Sequence, residues 1–145
     1  MAFDRRIGFG VTLEIQPDGS TVYTSLEIVD TIDGPETAAD EIETTLRGDT
    51  FKKYEKGQVD PGQVTFDIAY DPDDTSTTVL TNLLTASGCA LATFRLTYPI
   101  TCNTTTTTQE TFTGFVAGLG RSVPKDGLIT MPVTIRVDGD PGFST

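Results

Sequence analysis

Apolar and polar residues alternate along much of this 145-residue chain. Ile7, Phe9, Val11, Leu13 and Ile15 fall on every second position, which predicts a strand over residues 7–15 with one buried face. Pro17-Asp18-Gly19-Ser20 then supplies turn chemistry, because proline presets φ and glycine accepts φ > 0. Residues 22–32 are expected to return as the partner strand of a hairpin, stopped by Asp33-Gly34-Pro35. A short strand is expected over residues 41–46. The clearest alternation is that of Val64, Phe66, Ile68 and Tyr70. Residues 91–98 form a further strand, with Phe94, Leu96 and Tyr98 on one face. Residues 112–119 form another, in which Gly114 and Gly118 point to a bulge or a close backbone approach. Ile129, Met131, Val133, Ile135 and Val137 alternate without a break.

One stretch has the helical period instead. After Asp71-Pro72-Asp73-Asp74, the residues Ser76, Val79, Leu80, Leu83, Leu84 and Ser87 line one helical face. Asp71 is expected as N-cap with Pro72 at the first helical position, Asp73 and Asp74 complementing the helix dipole and Gly88 capping the C-terminus. Several threonines make this a weak helix by propensity, so burial of its Val/Leu stripe must hold it.

Residues 47–62, with Gly48, Asp49, Gly57, Asp60, Pro61 and Gly62, show neither period and are expected to form a long loop. Structureless loops beyond about 12–15 residues are usually functional or disordered. Phe51 and Tyr54 favour function, with packing of the loop back on its own domain as the other reading. Residues 99–109, with the threonine run 104–108, are either a strand extension or a long hairpin tip. Residues 139–145 read as an extended tail. The sum is a mainly β fold, a β-sandwich or barrel of about seven strands with one flanking α-helix, in one domain spanning residues 1–145.

Composition agrees. The 37% hydrophobic content is low, but threonine and glycine make up the balance, favouring strands and turns over disorder. The longest apolar runs fall far short of the roughly 20 residues of a membrane helix. Met1-Ala2-Phe3-Asp4-Arg5-Arg6 is not followed by an apolar signal segment, so synthesis and retention in the cytosol are expected. The formal net charge is −11, which disfavours tight binding to phosphate backbones. Basic residues gather only at Arg5-Arg6 and at Lys52, Lys53 and Lys56, which read as interface or loop charges.

Catalytic chemistry is not indicated. Without any histidine, Ser-His-Asp and Cys-His mechanisms are absent, together with the commonest general base. Two cysteines and scattered carboxylates are a poor zinc set. Cys89 and Cys102 flank a strand that would span about 40 Å when extended, so free thiols are expected. Asp71-Pro72-Asp73-Asp74 lacks the glycine and closing glutamate of a calcium loop. Gly8-Phe9-Gly10 and Gly118-Leu119-Gly120 lack the third glycine or lysine of nucleotide loops. No catalytic, cofactor-binding or metal site is expected.

An ordered series goes further: Ile32-Asp33-Gly34-Pro35, Ile42-Glu43-Thr44-Thr45-Leu46, Pro61-Gly62-Gln63-Val64-Thr65-Phe66 and Tyr70-Asp71-Pro72-Asp73-Asp74 before the helix. Phe112-Thr113-Gly114-Phe115-Val116 and the closing strand over residues 129–137 complete it. This series resembles the major tail tube proteins of long, non-contractile-tailed bacteriophages, of the lambda tail-tube type. The resemblance covers residues 7–139 and rests on order and spacing, because each motif alone is only a turn or strand signature. It departs from the simplest pattern at the threonine-rich residues 102–108.

The resemblance implies a structural virion protein, not an enzyme, that self-assembles into hexameric rings stacked as a tube. A tape measure protein would occupy the lumen, tail terminator and tail-tip proteins would close the ends, and DNA would pass at ejection without specific binding. No membrane is involved, and assembly would take place in the host cytoplasm. The long loop at residues 47–62 would reach a neighbouring subunit through Arg47, Phe51, Lys52, Lys53, Tyr54 and Lys56. Two other readings stand beside it: a tube protein of a contractile or type VI secretion-like machine, and a non-tube β-sandwich that binds or decorates.

Overall fold

The described part of the chain runs β1 (Thr12–Gln16), β2 (Thr24–Leu26), β3 (Ala38–Glu43), β4 (Tyr54–Asp60), β5 (Gln63–Ala69), α1 (Thr75–Thr85), β6 (Ala92–Tyr98), β7 (Thr108–Leu119) and β8 (Thr130–Val137). This computed structural model describes residues 10–17, 21–86, 91–100 and 107–139. The fold is mainly β, with eight strands and one helix among those residues. The additional strand is β4, which lies inside the stretch expected to be a loop.

Six strands form one antiparallel sheet in the order β2-β1-β6-β7-β8-β5. The second strand is shorter than its alternation suggested. Only Thr24–Leu26 pairs with β1, and the chain then leaves that edge for the opposite one. Residues 27–33 run along β5: the Val29 amide donates to the Asp67 carbonyl at 3.0 Å, and Ala69 donates to Glu27 at 2.9 Å. Asp33 and Thr65 exchange a pair of 2.9 Å bonds. This crossing joins the two ends of the sheet and curls it into a barrel, which removes edges that would otherwise invite foreign strands.

The alternation now has its physical reason. Leu13 and Ile15 of β1, Val64, Phe66 and Ile68 of β5, and Met131, Val133, Ile135 and Val137 of β8 all point into one buried cluster. Phe94 and Phe112 face each other across β6 and β7 and stack at 5.3 Å between centroids. Gly114 lets the backbones close up, since a Cβ there would stand 2.5 Å from the Arg136 carbonyl oxygen. The register shifts between Val116 and Gly118, so both glycines of β7 mark the features expected of them.

Helix α1 packs on β7 and β2 and inserts Leu80 into the core. Its N-cap is Asp74, three residues later than expected. Asp71, Pro72 and Asp73 form a turn instead: the Asp73 amide donates to Asp71 Oδ1 at 3.0 Å, and the Asp74 amide donates to the Asp71 carbonyl at 3.1 Å. Proline fits the second position of a turn as well as a helix start. The Asp74 carboxylate caps no backbone amide and instead accepts the Ser76 hydroxyl at 2.6 Å. The helical face is Ser76, Thr77 and Leu80, flanked by half-buried Val79 and Leu83, whereas Leu84 is exposed. Thr81 and Thr85 bond back to the carbonyls of Thr77 and Thr81, which occupies hydroxyls that would otherwise compete with the helix. Ser87, Gly88, Cys89, Cys102 and residues 140–145 lie outside the described residues, as does most of the threonine run.

Candidate functional site

Strands β3 and β4 pair only with each other, in a separate two-stranded sheet. Every residue of the two strands is exposed except Gly57. A hairpin of two strands is marginal in water when nothing covers either face. This one carries Ile42, Leu46, Phe51, Tyr54 and Val59 to solvent, with Phe51 82% exposed. These exposed apolar side chains make the hairpin the candidate interaction surface.

Its root is held tightly. The segments entering and leaving the hairpin cross with two glycines at φ +95° (Gly34) and φ +85° (Gly62). A Cβ on Gly34 would stand 2.3 Å from the Gln63 carbonyl oxygen, and one on Gly62 would stand 2.3 Å from that of Glu36. The Gly34–Pro35 peptide is cis. Asp60 Oδ1 receives the Gly62 amide at 2.9 Å and Arg136 Nη2 at 2.8 Å, tying the end of β4 to the barrel strand β8. The Gly62 amide, followed by the Arg136 guanidinium, holds the Asp60 carboxyl below the usual aspartate range. The Val137 amide also donates to the Gly62 carbonyl, at 3.2 Å.

The tip is organised by its own backbone. The Leu46 amide donates to Asp49 Oδ2 at 2.9 Å, and the Asp49 amide returns to the Leu46 carbonyl at 3.0 Å. Thr45 Oγ1 accepts from the Lys53 amide at 2.8 Å, and the Thr44 amide donates to the Lys53 carbonyl at 2.8 Å. The residues singled out from the sequence therefore separate into two places. Arg47, Phe51, Lys52 and Lys53 sit on the tip, while Tyr54 and Lys56 lie on β4, opposite Glu43 and Glu41. Asp71, Asp73 and Asp74 lie at the start of α1, away from the hairpin strands. Sequence reasoning missed Leu46 and the root formed by Gly34, Asp60, Gly62 and Arg136. The pair Gly34-Pro35 and Pro61-Gly62 was the available signal for that root.

Four of the ten basic residues of the chain, Arg47, Lys52, Lys53 and Lys56, lie within this short arm. Lys53 Nζ approaches Asp49 Oδ1 at 3.6 Å. On the barrel, Arg95 binds Glu14 at 2.6 Å and lies over the Tyr23 ring at 3.9 Å, and Val22, Ile100, Val123 and Leu128 are also exposed there. Among the described residues no cluster of three metal-ligating side chains occurs, and no helix is long and apolar enough to cross a membrane.

A family profile described as phage tail tube, TTP, lambda-like, matches residues 13–145. No curated protein matches the chain by sequence. Among solved structures, a chain of the anti-feeding prophage baseplate superposes with a TM-score of 0.71 at 10% identity, covering 95% of this chain and 92% of that one. The SPP1 tail tube gives 0.69 at 11% identity, with 93% of this chain and 77% of that chain covered. A chain of the sheath/tube terminator of the PVC extracellular contractile injection system gives 0.68 at 13% identity, covering 94% and 96%. At these identities the likeness is one of fold.

Proposed function

This chain belongs to the lambda-like phage tail tube family, and on that premise we propose that it forms rings of six that stack into a hollow tube. The family is structural and not enzymatic, and a tail tube subunit is a component of the virion. In the proposed assembly the tape measure protein occupies the lumen, terminator and tip proteins close the two ends, and the genome passes through without specific binding. Assembly takes place in the host cytoplasm. The fold is shared with a chain of the anti-feeding prophage baseplate and with one of a contractile injection system's sheath/tube terminator, so it is the family match that favours the non-contractile tail.

The observation that carries this reading is the β3–β4 hairpin, which buries nothing on its own chain and presents apolar side chains on a braced tip. Ordering such an arm without a partner would cost conformational entropy for no gain in burial. A neighbouring subunit covering it supplies that gain. The net charge of −11 fits a conduit for DNA, because carboxylates facing the lumen repel phosphates.

Negative-stain electron microscopy over a concentration series tests the proposal. Stacked rings with a central hole are expected for the unaltered chain. Phe51→Asp should leave the circular dichroism spectrum intact and raise the concentration needed for assembly by about 30-fold or more, the scale of an aromatic anchor at an interface. Equal assembly of the two proteins would refute the role given to the hairpin.

A further inference from the structure

We propose that the hairpin tip of one subunit seats in an apolar groove at the barrel mouth of a second copy, so that the tube grows by a knob-in-groove contact between unlike patches. The inference rests on the reading of the hairpin as an inter-subunit arm and names what that arm binds. The groove arises from the strand crossing. β2 pairs with β1 only at Leu13, Glu14 and Ile15, and the chain then departs along β5. Among the described residues, the N-terminal end of β1 has no strand partner on that side. A groove of about 760 Å³ opens there, walled by Val11, Ile28, Val29, Leu96 and Tyr98. Its volume falls in the range, about 300–1,000 Å³, that holds several side chains.

Charge selects the occupant. Asp30 lies in the groove wall, and Glu27 and Asp33 flank it on the same segment, all three exposed. From residue 7 to residue 46 the chain carries no lysine or arginine. The tip offers the complement: Leu46 and Phe51, 72% and 82% exposed, beside Arg47, Lys52 and Lys53. An apolar knob with a basic collar thus meets an apolar groove with an acidic lip. The tip cannot fill its own groove. Gly34 lines the groove and is braced against the start of β5 at the hairpin root, and the seven residues of β4 carry the tip roughly 23 Å outward. A contact between two different patches does not close on itself as a twofold dimer does, and it propagates from copy to copy.

The test is a disulfide trap in a background in which Cys89 and Cys102 are replaced by serine. A chain carrying both Phe51→Cys and Val29→Cys is assembled and oxidised, then resolved without reductant. A ladder of covalent multimers is expected from the double variant, and only monomers from either single variant alone. Mixing the two single variants should give heterodimers as the main linked product. Phe51→Asp is assembled in parallel. If it blocks assembly while the double variant forms tubes without a tip–groove link, the groove is wrong and the arm stands. Links between two tips, or within one chain, would overturn the groove in the same way. If Phe51→Asp assembles normally, the arm fails and the groove proposal fails with it.

Discussion

Replacing Gly62 by alanine tests the root of the hairpin with a single methyl group. The backbone there has φ +85°, a region that costs an L residue with a Cβ roughly 1–2 kcal/mol. The new Cβ would also stand 2.3 Å from the Glu36 carbonyl oxygen and 2.9 Å from its carbon. One of the crossing segments must therefore give way, and strain of this kind costs about 1–3 kcal/mol. Movement would weaken the Gly62–Asp60 and Val137–Gly62 bonds, so relief is not free. The sum is about 2–5 kcal/mol, which for a chain of this size lowers Tm by roughly 4–20 °C. Urea unfolding of the unassembled protein, followed by tyrosine fluorescence, measures it. Gly118→Ala is the control, because a Cβ there meets nothing within 4 Å and the φ is not left-handed. It should change stability by no more than about 0.5 kcal/mol. Equal losses in the two variants, or a Gly62→Ala protein as stable as the parent, would refute the crossing as a constraint.

Three further outcomes follow from the same geometry. Leu80→Ala should cost about 2–5 kcal/mol and Leu84→Ala under 1 kcal/mol in chemical denaturation, because only Leu80 reaches the core. The Asp60 carboxyl lies below its unfolded value, so its contribution is complete above about pH 4 and fades as the pH falls through the folded value. Carboxyl-carbon NMR should place its midpoint below that of an exposed aspartate, and Arg136→Gln should move it up while the Gly62 amide retains part of the shift. Lys52→Glu and Arg47→Glu should each weaken assembly by about 5-fold or less at low salt, and the effect should shrink near 1 M salt as rim charges are screened. Light scattering against ionic strength reads both.

Strands that bury one face were legible because a core on one side and water on the other impose the period of two. Met131, Val133, Ile135 and Val137 are all buried, whereas Ile129, the first of the predicted run, is exposed and precedes β8. β4 was not legible for the converse reason. Tyr54, Glu55, Lys56, Gln58, Val59 and Asp60 are all exposed, so no alternation was required of them. The crossing of residues 27–33 hid in the same way: Ile28 and Ile32 are half-buried beside β5, and their spacing alone does not distinguish that edge from a continued pairing with β1. The helix cap was ambiguous because Asp71, Asp73 and Asp74 can each start a helix and proline suits either a turn or a first helical residue. At the candidate site, Phe51 and Tyr54 stood out as aromatics in a stretch with no period. Of the root, the sequence offered only the turn pairs Gly34-Pro35 and Pro61-Gly62; Arg136 is distant in sequence, and the barrel fold brings it to Asp60.

The most direct test of the central claim is a cryo-electron microscopy reconstruction of the assembled protein at a resolution that traces strands. The expected result is a hollow stack of sixfold rings in which each β3–β4 hairpin lies against a neighbouring subunit with Phe51 buried. A closed particle without a lumen, or a tube whose hairpins stand free in solvent, would contradict it.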